Sequence, residues 1–233
     1  MNRNRRFIMG YILLITLFTA LLGHANEIRI SVRTLAVEEG DMPTWYVALE
    51  NQQFEELKWF AKQPSSTIVT QASQNLLLYS KEVNQKGEPE YKLASKVEIP
   101  EAAEEVILLG QPMNHEKQAD VIAIADNYKK AKFNDWLVIN RSDQAVTLRY
   151  GKENDPLNLE SGETKAYQVK GERDKGGEVI AEALMNGEMK KIYSTFWAAT
   201  DKQRSLILFY KKDDKVKVRR IIDFLQADKK SKP

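Results

Sequence analysis

The chain has 233 residues, 42% of them hydrophobic and 29% charged, with no cysteine and a formal net charge of +2. Ordinary apolar content at near-zero net charge excludes a disordered chain. The missing cysteine excludes a disulfide scaffold, a thiol enzyme and a thiolate metal site.

The first residues have the layout of an export signal. Arg3, Arg5 and Arg6 form a basic start, and an uncharged, largely apolar run of 16 residues follows from Phe7 to Leu22. Gly23-His24-Ala25 then places small residues where a signal peptidase reads, which predicts a signal peptide over 1–25, cleaved after Ala25. The apolar run is shorter than the roughly 20 residues of a spanning helix, which favours cleavage over a retained anchor. The chain is therefore expected to be exported, to the periplasm or beyond, with the membrane involved only through the signal. The full chain carries 35 basic and 33 acidic residues. The leader takes three arginines and no acid, leaving 32 against 33. A balance of −1 gives a nucleic-acid partner no support.

The remaining chain reads as short alternating strands. In Glu27–Val37, Ile28, Ile30 and Val32 alternate with Arg29, Ser31 and Arg33, the period of a half-buried strand. Strand patterns continue at 45–49, 54–60, 66–71, 75–83, 91–99 and 105–109, separated by turn sequences such as Glu39-Gly40-Asp41 and Lys86-Gly87-Glu88-Pro89. The segment 51–61, with Phe54, Leu57 and Phe60 three apart, also fits a short helix, as does the Ala- and Leu-rich 178–190; both are read as strand. GQPMNHEKQ, 110–118, reads as a polar linker. A second set follows at 121–125, 133–140, 145–150, 157–159, 164–169, 178–185, 189–199, 205–210 and 216–223. Asn186-Gly187 between two of these is a two-residue hairpin signal. The fold expected is all-β, with two tandem immunoglobulin-like β-sandwich domains at 26–112 and 119–226, a linker at 113–118 and a lysine-rich disordered tail at 227–233.

An internal duplication is also in view. The stretch from Trp45 to Trp59 can be laid on that from Trp136 to Tyr150, with Trp, Val, Gln and Leu matching, and Glu105–Leu109 can be laid on Ser205–Phe209. The run Phe133-x2-Trp136-Leu-Val-Ile-Asn140-Arg-Ser142, followed by Val146 to Gly151 and Leu157-Asn-Leu-Glu-Ser-Gly162, resembles uncharacterised exported β-sandwich proteins of Gram-negative bacteria. The resemblance covers roughly 120–225. Ser161 stands where those proteins often have proline. It implies a fold and a compartment and no activity.

Chemistry-bearing residues are sparse. Without His24 of the leader, His115 is the single histidine, too few for a zinc site or a histidine triad. Acid pairs such as Glu38-Glu39, Glu55-Glu56 and Asp213-Asp214 sit at turns with no partner motif, and no phosphate-binding glycine loop is present. The reading is therefore of no catalytic residue, no metal and no cofactor. Aromatic residues remain as a candidate interaction surface: Trp45, Trp59, Trp136 and Trp197. The adjacent pairs Trp45-Tyr46, Trp59-Phe60 and Phe196-Trp197 must split between opposite strand faces. The favoured place for them is the contact between the two domains. An outward row for a sugar or a partner protein is the alternative. Lys215, Lys217 and Arg219 form a one-sided basic strand face, read first as protection of a sheet edge and second as a contact for anionic envelope polymers. Together these features point to a non-enzymatic exported binding or structural module of the cell envelope, working through a sheet edge or an exposed aromatic face. Its partner would be an envelope protein or a polysaccharide. A carbohydrate-binding or carbohydrate-acting protein is the alternative.

Overall fold

In the first strand Ile30 and Val32 turn to one side and Leu35 to the other, and both sides are buried. The strand thus lies inside the molecule with a layer on each face. The computed structural model describes residues 28–113, 118–126, 134–170, 175–200 and 203–224. The expected signal peptide, His115 and the tail at 227–233 lie outside them.

The described residues form sixteen strands and no helix. The first eight are β1 (Ile28–Ala36), β2 (Tyr46–Ala48), β3 (Phe54–Glu56), β4 (Ile68–Ala72), β5 (Asn75–Val83), β6 (Pro89–Glu98), β7 (Glu105–Pro112) and β8 (Ala119–Ala125). The second eight are β9 (Asp135–Arg141), β10 (Val146–Tyr150), β11 (Leu157–Leu159), β12 (Thr164–Gln168), β13 (Gly177–Met185), β14 (Glu188–Trp197), β15 (Gln203–Lys212) and β16 (Lys215–Phe224). Neither segment that also fitted a helix forms one: 51–61 contributes the short β3 and then runs irregularly, and 178–190 is the β13–β14 hairpin.

Four sheets result. β4-β1-β7-β8 faces β3-β2-β5-β6, and β12-β9-β15-β16 faces β11-β10-β13-β14. These are two β-sandwiches with the two-sheet architecture expected and a strand order of their own. Each order becomes the other when eight is added to every strand number. The parallel pairs agree too, β1 with β7 and β9 with β15. One register shift recurs as well, between Leu78 and Tyr79 in β5–β6 and between Ala181 and Glu182 in β13–β14. The repeat is thus one of topology. It corrects one of the two matches made by sequence. Glu105–Leu109 and Ser205–Phe209 do fall on equivalent strands, β7 and β15. Trp45 and Trp136, however, lie beside β2 and in β9, which are not equivalent.

The domain boundary moves as well. β8 is hydrogen-bonded along its length to β7, from Val106↔Ala125 to Pro112↔Ala119. It therefore completes the first sandwich and does not open the second. The expected linker at 113–118 is the connection of this hairpin, closed by Met113 N–H donating to the Gln118 carbonyl at 3.0 Å. The crossing between sandwiches comes after Ala125 and before Asp135. Polar composition marks both a hairpin tip and a linker, so it could not tell them apart. At Asn186-Gly187 the expected tight hairpin is present, with φ of 54° and 81° as a type I′ turn requires.

Each sandwich has its own core. In the first, Ile30, Val32, Val47, Leu76, Leu78 and Leu108 interlock; in the second, Trp136, Val138, Leu148, Val179, Ile207 and Phe209. A third core joins the sandwiches. Leu35, Val37, Ile107, Leu109 and Ile124 meet Leu137, Ile139, Leu206, Leu208 and Ile221 there. β1, β7, β9 and β15 are therefore apolar on both faces, the pattern of a strand with no solvated side.

One end of this contact is polar and equally buried. The Arg33 guanidinium donates from Nη2 to Asp126 Oδ2 at 2.5 Å and from Nη1 to Asp223 Oδ1 at 2.8 Å. Arg204 Nη2 reaches Asp126 Oδ1 at 2.9 Å and Asp223 Oδ2 at 2.6 Å. All four side chains are less than a tenth exposed. Burial alone would push the Asp126 carboxyl up. The guanidiniums of Arg204 and Arg33 outweigh it and hold the group below its ordinary value.

Two outcomes follow from this cluster. Arg33→Met leaves two buried carboxylates facing one cation and is expected to cost about 3–5 kcal/mol, read as a lower urea midpoint at unchanged slope. The second concerns acid. A carboxyl depressed in the folded state adds stability that is complete above its unfolded value of about 4 and is lost as pH falls through the lower folded value. The stability gap between the natural protein and Asp126→Asn should therefore narrow below about pH 4, measured by urea unfolding at stepped pH.

Candidate functional site: an aromatic face and the groove beside it

The four tryptophans do not make a surface. Trp45, Trp136 and Trp197 are buried within the cores of their own sandwiches, and Trp59 is half-buried against the first core. Trp136 packs edge-on to Tyr150 and Trp197, with centroids 5.1 and 5.5 Å apart. Its indole N–H donates to Asn134 Oδ1 at 3.2 Å. The contact between sandwiches, where they were expected, is aliphatic and ionic instead. Phe196-Trp197 in β14 splits as strand geometry demands, and Trp59-Phe60, which lies outside a strand, splits as well. Phe196 is 66% exposed beside buried Trp197, and Phe60 is 46% exposed beside Trp59.

The basic residues are apart from all of these. Lys215 and Lys217 are exposed on β16, the edge of its sheet. Arg219 is drawn inward and donates to the Val37 carbonyl of the first sandwich at 3.0 Å. It is thus part of the joint between the halves.

A different set of aromatics is brought together on the outer face of β3-β2-β5-β6. Phe54 and Tyr91 stack with centroids 3.9 Å apart and planes within 5°. Tyr46 meets Tyr91 edge-on at 5.2 Å, and Phe54 meets Tyr79 at 5.1 Å. Leu77 and Leu93 border this cluster, Leu93 at 50% exposure. Of these rings only Tyr46 is among the aromatic pairs that the sequence offers for a surface; Phe54 enters there only through its spacing to Leu57 and Phe60. For Tyr91 the reason is a single residue. Counting by twos back from core Val97 puts Ser95, Leu93 and Tyr91 on the buried side. The register shift pairs Leu78 with Ser95 but Tyr79 with Leu93, so Ala94 is extra. A bulge of one residue reverses every side chain beyond it. Leu93 and Tyr91 consequently come out beside Tyr79.

The second sandwich shows what this face looks like without aromatics. Tyr46, Tyr79 and Leu93 form one cross-strand row directly past the bulge. The row in the same place of the second sandwich is Thr147, Glu182 and Lys191. There Thr147 Oγ1 bonds Asn158 Oδ1 at 2.7 Å and Arg149 pairs with Glu182 at 3.1 Å. The fold accepts a polar face at this position, so folding does not require the aromatic one.

Beside the aromatic face, at the corner where β1 passes to β2, lies an open groove of about 770 Å³. Glu56 connects the two, since it is paired with Tyr46 and also lines the groove. The connection from β1 to β2 takes nine residues, 37–45, whereas that from β9 to β10 takes four, 142–145. The shorter corner is closed by hydrogen bonds. Ser142 Oγ donates to Asn140 Oδ1 at 2.7 Å, and Ser161 Oγ donates to the Ser142 carbonyl at 2.7 Å. The longer corner stays open over Trp59 and Phe60. Trp59 fits there because β7 carries Gly110 beneath it.

The groove is rimmed by charge. Glu56 pairs with Lys58 at 2.6 Å, Glu39 with Lys62 at 3.6 Å, and Glu38 with Lys212 from the second sandwich. No group of three or more metal-ligating side chains occurs among the described residues.

No protein-family model matches the chain, and no curated protein matches its sequence significantly. The candidate site therefore rests on geometry.

A β-carbon at Gly110 would lie 2.4 Å from Met42 Cε and 2.7 Å from Trp59 Cζ3. Gly110→Ala is expected to cost about 1–3 kcal/mol by overpacking and to displace Trp59. Urea unfolding followed by tryptophan emission measures both effects.

Proposed function

We propose that the chain is a non-enzymatic, exported binding module of the cell envelope, and that it engages a partner protein through the outer aromatic face of its first sandwich. The observation that carries this reading is the half-exposed cluster of Tyr46, Phe54, Tyr79 and Tyr91, bordered by the exposed Leu77 and Leu93, at a place where the twin sandwich carries Thr147, Glu182 and Lys191. Clustered exposed aromatics mark interaction surfaces more strongly than scattered apolar residues do. Tyrosine suits such a role because it offers a large apolar body, a polar tip and few rotamers to freeze. Export is the expectation drawn from Arg3 to Ala25, and a cysteine-free chain stabilised by three cores is compatible with it.

In-cell cross-linking of the tagged protein, with mass spectrometry of what co-purifies, tests the reading. The expected result is a reproducible envelope protein whose yield falls at least about fivefold in Tyr46→Ser and Tyr91→Ser, a loss of about 1 kcal/mol or more each. It should stay unchanged in Arg149→Ala, on the same face of the second sandwich. Capture that is indifferent to both tyrosines would sink the proposal.

A further inference from the structure

β8 is an edge strand that its own sequence does nothing to guard. Asp126 N–H donates to the Glu105 carbonyl at 2.8 Å, and Met113 N–H donates to the Gln118 carbonyl at 3.0 Å. The even-numbered residues of β8 therefore turn their backbone groups to β7. The N–H and C=O groups of Ala119, Val121, Ala123 and Ala125 point away from it and have no partner among the described residues. Natural proteins blunt such edges with cations, proline or a bulge. The other long edges follow that rule. β6 has Pro89, Lys92, Lys96 and its bulge, and β14 has Lys190, Lys191 and the matching bulge. β16 has Lys215, Lys217, Arg219 and Arg220. β8 reads ADVIAIA, with no cation, no proline and an unbroken register.

The twin edge shows what a closed flank looks like. Asp126 lies across from Glu105 as Asp223 does from Arg204, so counting back sets Arg220 where β8 has Ala123. Arg220 donates to the Ala198 carbonyl just beyond β14 at 3.1 Å and lies 5.1 Å from the Trp197 ring centre. It closes that side of the second sandwich. Ala123 is too short to do so, and Ala119, Val121, Ala123 and Ala125 are only half-buried against the first core.

The joint between the sandwiches leaves a place beside this edge. Asp120 of β8 pairs with Arg141 of β9, and Gln111 of β7 donates to the Lys211 carbonyl of β15 at 3.1 Å. Arg219 of β16 reaches Val37 at the end of β1. β8, β7 and β1 thus lie over β9, β15 and β16. β12, on the far side of β9, has no strand opposite it among the described residues. Its Ala166 and Gln168 share the face of Leu137 and are exposed, whereas Leu137 is buried in the joint.

We propose that β8 accepts an added β-strand, an extended segment of a partner polypeptide with apolar residues at alternate positions. The site goes beyond the aromatic face and uses none of its residues. A row of outward N–H and C=O groups at strand spacing is matched by another strand. Apolar side chains of that strand would continue the first core beside Val121 and Ala123. The side chains between them would lie over Ala166 and Gln168. A second copy of this chain does not fit, because its own β8 carries β9 on the face that must here lie on β12. The occupant is therefore one extended segment with no second layer on that face.

The test uses the purified protein and short synthetic peptides that alternate threonine with valine, isoleucine or alanine. Amide exchange followed by NMR reads the edge. In the free protein the amides of Ala119, Val121, Ala123 and Ala125 are expected to exchange fast, and those of Ile122 and Ile124 slowly. A peptide is expected to bind and to slow the first set at least about tenfold. Ala123→Pro removes an outward donor and no bond to β7, and Ala123→Arg copies the twin edge. Each should raise the peptide Kd about tenfold or more. Slow exchange at Ile122 and Ile124 in both variants checks that β8 persists. Tyr91→Ser should leave the Kd unchanged.

Slow exchange at Ala123 in the free protein would mean an edge already covered, and overturns the inference. Failure of every peptide to bind overturns it as well. Binding that is lost in Tyr91→Ser and kept in Ala123→Pro would move the site to the aromatic face. The cross-linking with Tyr46→Ser and Tyr91→Ser decides the reading of that face independently of these results.

Discussion

The architecture depends on a contact that is apolar along most of its length and closed at one end by buried ion pairs. Ten aliphatic side chains join the two sandwiches, and Arg33, Asp126, Arg204 and Asp223 close one end of the joint. Aliphatic packing alone is tolerant of sliding. Two guanidiniums and two carboxylates that each need both opposite partners are not tolerant of it, because any shift strands a buried charge. The quartet therefore acts as a registration device, and the aliphatic residues supply the burial. A structure in which the inner sheets are committed to each other leaves only the outer sheets, the corners and the strand edges free for other work.

That division accounts for where the candidate site lies. The inner strands β1, β7, β9 and β15 have no solvated face. The outer sheet of the first sandwich is free to vary, and it carries stacked aromatics. The outer sheet of the second carries ion pairs and hydrogen-bonded polar side chains at the same cross-strand row. The same contrast holds at the β1–β2 and β9–β10 corners, one open above Trp59 and one closed by Ser142 and Ser161. Specialisation is thus confined to one sandwich, and the other shows the plain version of the same scaffold.

Much of the fold was legible in the sequence. Each strand was visible as a short apolar or alternating run, and Asn186-Gly187 marked its turn. What the sequence did not disclose were relations between strands. The alternation in β1 shows that Arg33 and Leu35 share a face, but it does not show that a second sandwich covers that face. β8 reads as a strand, yet only its ladder to β7 assigns it to the first half. The candidate site was largely hidden for a related reason. Trp45, Trp136 and Trp197 drew attention by residue type and are core, while Tyr91 and Leu93 joined Tyr79 on the outer face through one extra residue, Ala94. A bulge leaves the composition unchanged and reverses the parity on which a periodic reading relies.

The arrangement of charge in the quartet also bears on the order of assembly. Arg33 and Asp126 both belong to the first half, Asp126 directly after β8, and Arg204 and Asp223 both belong to the second. Each half thus brings one cation and one anion, and each pair is within bonding distance without help from the other half. A chain that emerges amino-terminus first can neutralise Arg33 with Asp126 as soon as β8 closes the first sandwich, before β9 exists. The later half arrives with its own neutral pair. Docking then exchanges partners between two electrically balanced surfaces, so neither half waits with an uncompensated ion on the face it will bury.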